Sequence, residues 1–343
     1  MTKRLTVPRL GLILALTAAG NLLSGAAQAQ TSKPLLINFS HVVADDTPKG
    51  KAALRFKELA ERATQGRVFV EIYPNSQLYK DKEELEALQL GAVQMLAPSL
   101  AKFAPLGVGE FEVFDIPYMF PSKAALRKIT DGKIGADLLA KLEPKGIKGL
   151  AYWDNGFKLM SAKKPIKLPE DVKGLKLRIQ SSRVLDAQMR ALGAFPQVLA
   201  FSEVYQALQT GVVDGTENPP SNMVTQKMHE VQPYATLTDH GYLGYAVIVN
   251  KRFWESLPSD LRGALEVAMR EATAYGNEIA QAENDAAIAA MKASGRTEFH
   301  TQTPEERQAW IAALAPVRQA MEARVGKDLI NAIVKETAGL TSN

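Results

Sequence analysis

The chain has 343 residues, 46% of them hydrophobic, a formal charge of +4 and no cysteine. Disulfides, thiol nucleophiles and thiolate metal sites are therefore excluded, and the fold must hold by burial alone. The length is enough for two domains with sizeable cores.

The leading residues carry Lys3, Arg4 and Arg9, then an apolar run from Leu10 to Ala19, then Ala27-Gln28-Ala29 before Gln30. That order of charge, apolar run and small residues predicts a secretory leader, residues 1–29, cleaved after Ala29, and hence a periplasmic protein. The apolar run is shorter than the roughly 20 residues of a spanning helix, which argues against a retained anchor. Cleavage removes three basic residues and no acidic one, leaving +1. A nearly neutral chain argues against nucleic acid or an acidic membrane surface as the main partner.

Leu35–Ser40 reads as a short strand, and Lys49–Thr64 as a helix with Ala52, Phe56, Leu59, Ala60 and Ala63 on one face. Gln65-Gly66 ends the helix, Val68–Tyr73 has strand composition, and Pro74-Asn75-Ser76 makes a turn. Asp81–Leu90 is predicted as a helix capped by Asp81 and closed by Gly91, with Val93–Ala97 as the next strand. The rhythm resumes at strand Leu175–Ile179, helix Arg183–Leu192 stopped by Gly193, and helix Ser202–Thr210 stopped by Gly211, after which Val212-Val213 opens a strand. Ser259–Ser294 reads as one long helix, kinked if anywhere near Gly276, and long enough to brace two lobes. Thr303-Pro304-Glu305-Glu306 starts a last helix running to Gly326. Strands alternating with helices predict an α/β fold.

An internal echo points to two lobes. Glu83–Val93 reads EELEALQLGAV and Glu203–Val213 reads EVYQALQTGVV, 120 positions apart. Each is followed by a Pro-containing loop, Pro98-Ser99 in one copy and Asn218-Pro219-Pro220 in the other. Convergence on a common helix ending is one explanation. Two similar α/β lobes is the other, and it would put both loops at the carboxyl ends of strands bordering one cleft.

Enzyme motifs are missing. His41, His229, His240 and His300 have no metal-ligand spacing, and there is no nucleophile elbow, Walker loop or dinucleotide fingerprint. Nothing in the sequence calls for a metal or cofactor, although a catalytic set assembled from distant residues leaves no such trace.

Several blocks carry a resemblance: Trp153-Asp154-Asn155-Gly156-Phe157-Lys158, Lys173–Ser182 (KGLKLRIQSS), and Ala200–Pro220 (AFSEVYQALQTGVVDGTENPP). Shorter support comes from Tyr73–Leu78 and from Gly241–Tyr245. Over nearly the whole chain after the leader, the sequence resembles the substrate-binding subunits of tripartite ATP-independent periplasmic (TRAP) transporters, most nearly the four-carbon dicarboxylate binders of DctP type. The resemblance implies a two-lobed α/β fold like that of periplasmic binding proteins, with a ligand cleft between lobes, a long bracing helix and no catalysis.

Site residues follow position by position. Arg178 ends the strand Leu175–Ile179, and a guanidinium presents a planar fork that matches a carboxylate. The resemblance implies that it forms the ligand salt bridge, where an ordinary sequence would have a surface Arg. Asn218, implied to donate to a carboxylate, would otherwise only initiate the turn before Pro219. Lys158 stands where sugar-acid-binding relatives carry Arg, so it reads either as a point charge for a small acid or as a solvated Lys at a lobe junction. Ser99 and Lys102 follow the first echoed strand near positions that face ligand in those relatives; Ser99 reads equally well as a turn residue. Phe201 is implied to pack on the ligand or else staples its helix. His41 caps or packs at the end of the first strand, with a cleft-lining role as the alternative. Asp81 reads only as a cap, and Glu217 as support for its loop, because like charges repel an anion.

The expected protein is thus an exported receptor for a small organic acid, first of all succinate, fumarate or malate, serving the membrane subunits of a TRAP transporter. Keto, aromatic or sugar acids, an ATP-driven importer or a sensor kinase are the alternatives, and an exported hydrolase is the last. The lobes are expected over 30–155 with 244–283, and over 156–243 with 284–343. Chain crossings are expected near Asn155–Gly156, near His240–Tyr245 and within the long helix.

Overall fold

A computed structural model describes Thr2 and residues 33–340, so the leader and its cleavage site lie outside the described residues. The chain opens with β1 (Leu35–Ser40), α1 (Pro48–Ala63), β2 (Val68–Tyr73), α2 (Glu84–Leu90) and β3 (Met95–Leu96). Short 3-10 turns between Leu100 and Asp115 lead to α3 (Lys123–Thr130) and α4 (Lys133–Ala140). Then come β4 (Ile147–Phe157), β5 (Leu159–Ala162), β6 (Lys176–Ile179), α5 (Arg183–Ala191), β7 (Phe195–Val198), α6 (Val204–Thr210) and β8 (Gly215–Asn218). The order continues through α7 (Pro220–Thr225), β9 (Tyr234–Leu237), β10 (Tyr242–Asn250), α8 (Lys251–Ser256) and α9 (Ser259–Ser294). It closes with β11 (Glu298–Thr301), α10 (Pro304–Val325) and α11 (Lys327–Thr337).

The strands make two mixed sheets, the centres of two lobes. One has the order β2-β1-β3-β10-β4, the other β11-β9-β5-β8-β6-β7. In the first, β1 pairs in parallel with β2 and β3, while β10 runs antiparallel to β3 and β4. In the second, β6 lies parallel to β7 and β8, and β5 is antiparallel to β8 and β9. The carboxyl ends of β3, β6 and β8 give on to one cleft, the usual ligand position for α/β sheets.

Local sequence explains most boundaries. Thr47 caps α1 by accepting from the Gly50 amide at 3.1 Å, with Pro48 as the first helical residue. Thr303 and Glu306 form a reciprocal capping box at α10. On α9 the buried positions Leu261, Leu265, Ala268, Ala272, Gly276, Ala280, Asn284, Ala287 and Met291 follow one another every three or four residues. This single stripe keeps the helix continuous over 36 residues, about 54 Å at 1.5 Å per residue. Gly276 is required by close packing: a Cβ there would lie 2.6 Å from the Cβ of Ala52 on α1.

The echo is structural. Both α2 and α6 are seven residues long, and Gly91 and Gly211 both take φ 79°, the left-handed stop that glycine tolerates. Glu83 and Glu203 each accept a backbone amide from three residues upstream, Lys80 and Ala200, both at 3.3 Å.

Three expectations shift. The strand predicted over Val93–Ala97 reduces to Met95–Leu96, and the one opening at Val212 begins only at Gly215. Before Gly215 the chain turns, with the Asp214 amide held by the Lys176 carbonyl at 2.7 Å. Helix α2 begins at Glu84 rather than Asp81, and no side chain caps it. Asp81 faces the cleft instead.

The chain passes from sheet to sheet between β4 and β5, with Lys158 as the one intervening residue, and returns between β9 and β10. Helix α9 packs on α1 and β4 near the first sheet and on α7 near the second. Helix α10 packs on α5, and α11 returns to α3. No helix among the described residues is long and apolar enough to cross a membrane.

Candidate functional site

The cleft is lined by Lys49, Asp81, Ser99, Lys102, Arg178, Gln180, Phe201, Asn218, Asn222 and Tyr245, with Val42, Val43 and Leu243 as its apolar wall. A wider groove adjoins it, shares Asp81 and Lys102, and is otherwise largely apolar through Leu85, Leu106 and Val198.

Arg178 reaches the cleft from β6, whose parallel pairing with both β7 and β8 fixes its direction. Its side chain is 2% exposed. Nε and Nη2 both donate to the Leu199 carbonyl, at 3.1 and 2.8 Å, and the nearest carboxylate oxygen, Asp81 Oδ2, stands 3.8 Å from Nη2. Burial lowers the guanidinium pKa, opposed by Asp81, Glu217 and Glu203, yet the group keeps its charge in any accessible pH range. A buried cation without a hydrogen-bonded counter-ion is costly in a protein interior, and an anion in the cleft relieves that cost. Phe201 lies beside it, ring centroid 5.8 Å from Cζ.

Lys102 is finished differently. Its Nζ donates to Asp81 at 2.7 Å and to Glu84 at 2.9 Å. Burial would lower the amine pKa, but Glu84 and Asp81 outweigh it and raise it. Asp81 feels burial pushing its pKa up, which Lys102 and Arg178 overcome. Glu84, fully buried, is raised by desolvation in spite of Lys102.

Lys49, on α1, completes the polar lining. Its Nζ donates to the Ala97 carbonyl at 3.0 Å and sits 3.8 Å above the Tyr245 ring. Burial is the main reason its pKa falls to about 7, with Glu84 opposing and Lys102 adding to the drop.

Asn218 is held by long contacts: its Nδ2 lies 3.4 Å from Thr216 Oγ1 and 4.0 Å from Met228 Sδ, while Asn222 donates to its Oδ1 at 3.3 Å. Behind it runs a buried amide network. Asn155 donates to Asn222 at 3.1 Å and to Tyr245 Oη at 2.7 Å, and accepts from Ser221 Oγ at 2.9 Å. Asn284, on α9, donates to the Asn155 carbonyl at 2.7 Å and accepts from the Ser221 amide at 2.9 Å. The cleft floor is thereby tied to the end of β4, where the chain leaves the first sheet. Bonds across the seam include Ser99 Oγ donating to Gln180 Oε1 and the Phe201 amide donating to Asp81 at 2.8 Å.

Of the predicted site residues, the structure brings Arg178, Asn218, Ser99, Lys102 and Phe201 together in the cleft lining, and leaves Lys158 and His41 out of it. Lys158, 1% exposed, is bound at 2.7 Å to Glu217, whose other oxygen accepts from His240 Nε2 at 2.9 Å. Burial would raise the Glu217 pKa, but Lys158 and His240 prevail and hold it at about 2. The Lys158 amine therefore already has its counter-ion. His41 is buried at the end of β1, its backbone joining Tyr73 and Ser76. Burial first and Lys49 second drop its pKa to about 3, so the ring is neutral. Asp81, read as a cap, is a cleft carboxylate.

Sequence reasoning missed Lys49, Asp81 and Tyr245 as cleft residues. For Lys49 a signal existed: it precedes Ala52, Ala53 and Phe56 on the same apolar face of α1, an odd place for a charge. Among the described residues no group of His, Asp and Glu side chains is placed to hold a metal ion.

Comparison with known proteins adds four findings. Residues 39–324 match the family model "Bacterial extracellular solute-binding protein, family 7". The chain is 64% identical to the C4-dicarboxylate-binding periplasmic protein DctP of Rhodobacter capsulatus, over 96% of this chain and 98% of that one. It superposes on a TRAP periplasmic solute-binding protein of Sulfurospirillum deleyianum with bound succinate (TM-score 0.85, 47% identity, 88% of this chain and 99% of that one). It likewise superposes on one of Pseudomonas aeruginosa with bound L-malate (TM-score 0.82, 44% identity, 84% and 100%).

Proposed function

The chain belongs to family 7 of the bacterial extracellular solute-binding proteins, and from that premise we propose that it closes its cleft on a four-carbon dicarboxylate such as succinate or malate and delivers it to the membrane subunits of a TRAP transporter. The protein is a solute receptor and not an enzyme, as its family is. The observation that carries the ligand reading is the state of Arg178: buried at a strand end, facing the cleft, and hydrogen-bonded to a backbone carbonyl rather than to a carboxylate. Relatives at 47% and 44% identity hold succinate and L-malate, which supports the same ligand class here.

In this account one ligand carboxylate takes the free side of the Arg178 fork and the Asn218 amide, Phe201 packs on the carbon chain, and Ser99 closes from the other lobe. Among the described residues lining the cleft, three cations, Arg178, Lys102 and Lys49, stand against one carboxylate, Asp81, which favours an anion. The lobes move as bodies built on the two sheets, hinged at the β4–β5 and β9–β10 passages and along α9. A ligand that contacts both lobes in the closed state, and one lobe in the open state, shifts the population toward closure by that difference.

Thermal unfolding of residues 30–343 against a panel of organic acids tests the proposal. Succinate and malate raise the midpoint with concentration, by a stabilisation of about 2.7 kcal/mol at a hundredfold excess over Kd, and Arg178→Ala abolishes the rise. A rise confined to sugar, keto or aromatic acids moves the specificity. No rise with any acid, or one unchanged by Arg178→Ala, overturns the reading.

A further inference from the structure

Three cations line the cleft, and their surroundings separate them. Lys102 is neutralised twice over, by Asp81 at 2.7 Å and Glu84 at 2.9 Å. Arg178, on the second sheet, has the proposed first carboxylate. Lys49 comes from α1 beside the first sheet, is 1% exposed, and has no carboxylate within 4.0 Å among the described residues; only the Ala97 carbonyl and the Tyr245 ring meet its amine. A lysine in that setting pays for burial with no counter-ion, at a place where a ligand can supply one.

We propose that Lys49 is the specificity-determining residue for ligand valence: it receives the second carboxylate, so that dicarboxylates bind and monocarboxylates of the same chain length do not compete. This rests on the dicarboxylate reading above and adds to it which side chain does the selecting. Lys102, placed beside the ligand from sequence, is instead an internal counter-charge. Its two carboxylates would have to be stripped before it could serve a ligand.

A proton linkage follows. The groups facing Lys49 are Asp81 and Glu84 from the α2 region, Lys102 after β3, Tyr245 on β10 and His41 at the end of β1. Burial and Lys102 leave the empty-cleft amine near pH 7. A carboxylate arriving beside it favours the ammonium form, raising its pKa in the complex. The empty protein is therefore partly deprotonated at pH 8, and binding a dianion takes up a proton. Dicarboxylate affinity is full near pH 6.5, where the ligand is still a dianion, and declines as pH rises above about 7.

The test is calorimetric titration of native protein, Lys49→Met and Glu84→Gln with succinate and with butyrate, at pH 6.5 and pH 8, in buffers of different ionisation enthalpy. Expected results are a loss of succinate affinity of at least thirtyfold in Lys49→Met, butyrate binding unchanged, and proton uptake at pH 8 that native protein and Glu84→Gln show and Lys49→Met does not. Equal losses for succinate and butyrate, or no loss, overturn the assignment. So does proton uptake that persists in Lys49→Met. Should Lys49→Met fail to fold, the pH dependence of native protein decides: succinate affinity equal at both pH values, with no proton uptake, overturns it. Native protein that binds no dicarboxylate at all would instead overturn the ligand reading on which the assignment stands.

Discussion

Two clusters of buried charge occupy the second lobe and its seam with the first. Around Lys158, the amine meets Glu217 at 2.7 Å, Glu217 meets His240 at 2.9 Å, and His240 Nδ1 meets Thr238 at 2.7 Å. Around Arg178, the guanidinium meets a carbonyl and stands 3.8 Å from the nearest carboxylate. Both cations are equally inaccessible, at 1% and 2% exposure. The first cluster is closed on itself, whereas in the second the guanidinium is hydrogen-bonded to a carbonyl and not to a carboxylate, which is why the proposed ligand is placed there. Burial of a charge alone therefore does not separate the two clusters; the proposal rests on which of them lacks a hydrogen-bonded counter-ion.

The comparison can be broken most forcefully at Glu217. Replacing one member of a buried, bonded pair strands the other, at a cost of about 3–5 kcal/mol. Glu217→Gln should lower stability by that order in chemical denaturation while leaving succinate affinity within about threefold. The native pair also sets a pH window. The Glu217 pKa is depressed to about 2 from its usual 4.5, so its contribution is present above about pH 4.5 and is lost as pH falls toward 2. Native protein should lose stability more steeply over that range than Glu217→Gln does.

Arg178→Ala should do the reverse. It removes a cation that has no bonded carboxylate, so stability changes little, while succinate affinity falls at least about a hundredfold, as truncating a desolvated charged contact does. Titration calorimetry against unfolding curves of the same variant reads both. A variant that loses stability and affinity in proportion would erase the distinction between the clusters.

The smallest effect sharpens the first cluster. Asp115 is buried near Lys158, and desolvation, only partly offset by Lys158, raises its pKa to about 7. A carboxyl raised in the folded state favours folding below its unfolded value and loses that contribution as pH rises through about 7. Asp115→Asn should stabilise the protein by about 1–2 kcal/mol at pH 8 and by nothing near pH 4, measured as unfolding free energy.

How much was readable in the sequence follows from the range of the interactions concerned. The bounds of α9, the capping box at Thr303 and the glycine stops at Gly91 and Gly211 depend on neighbours a few residues away. Ser259–Ser294 was accordingly predicted as it stands. Asp81 was misread because its partners, Lys102 and the Phe201 amide, are 21 and 120 residues distant. Strands β4 and β10, joined along most of their length, and helices α3, α4 and α11 were not read at all. Strand β10 is buried throughout, so its sequence has no alternation to show. Arg178 and Asn218 were reached by resemblance, and their position in the cleft lining agrees with it. Lys158 was reached in the same way, yet its charge is spent inside the protein.

The most direct measurement is a crystal structure of the protein grown with succinate. One ligand carboxylate is expected at about 3 Å from the Arg178 guanidinium and the Asn218 amide, with the Lys158–Glu217 pair intact and untouched by ligand. A ligand carboxylate bonded to Lys158, with Glu217 displaced and Arg178 still facing only the Leu199 carbonyl, would contradict it.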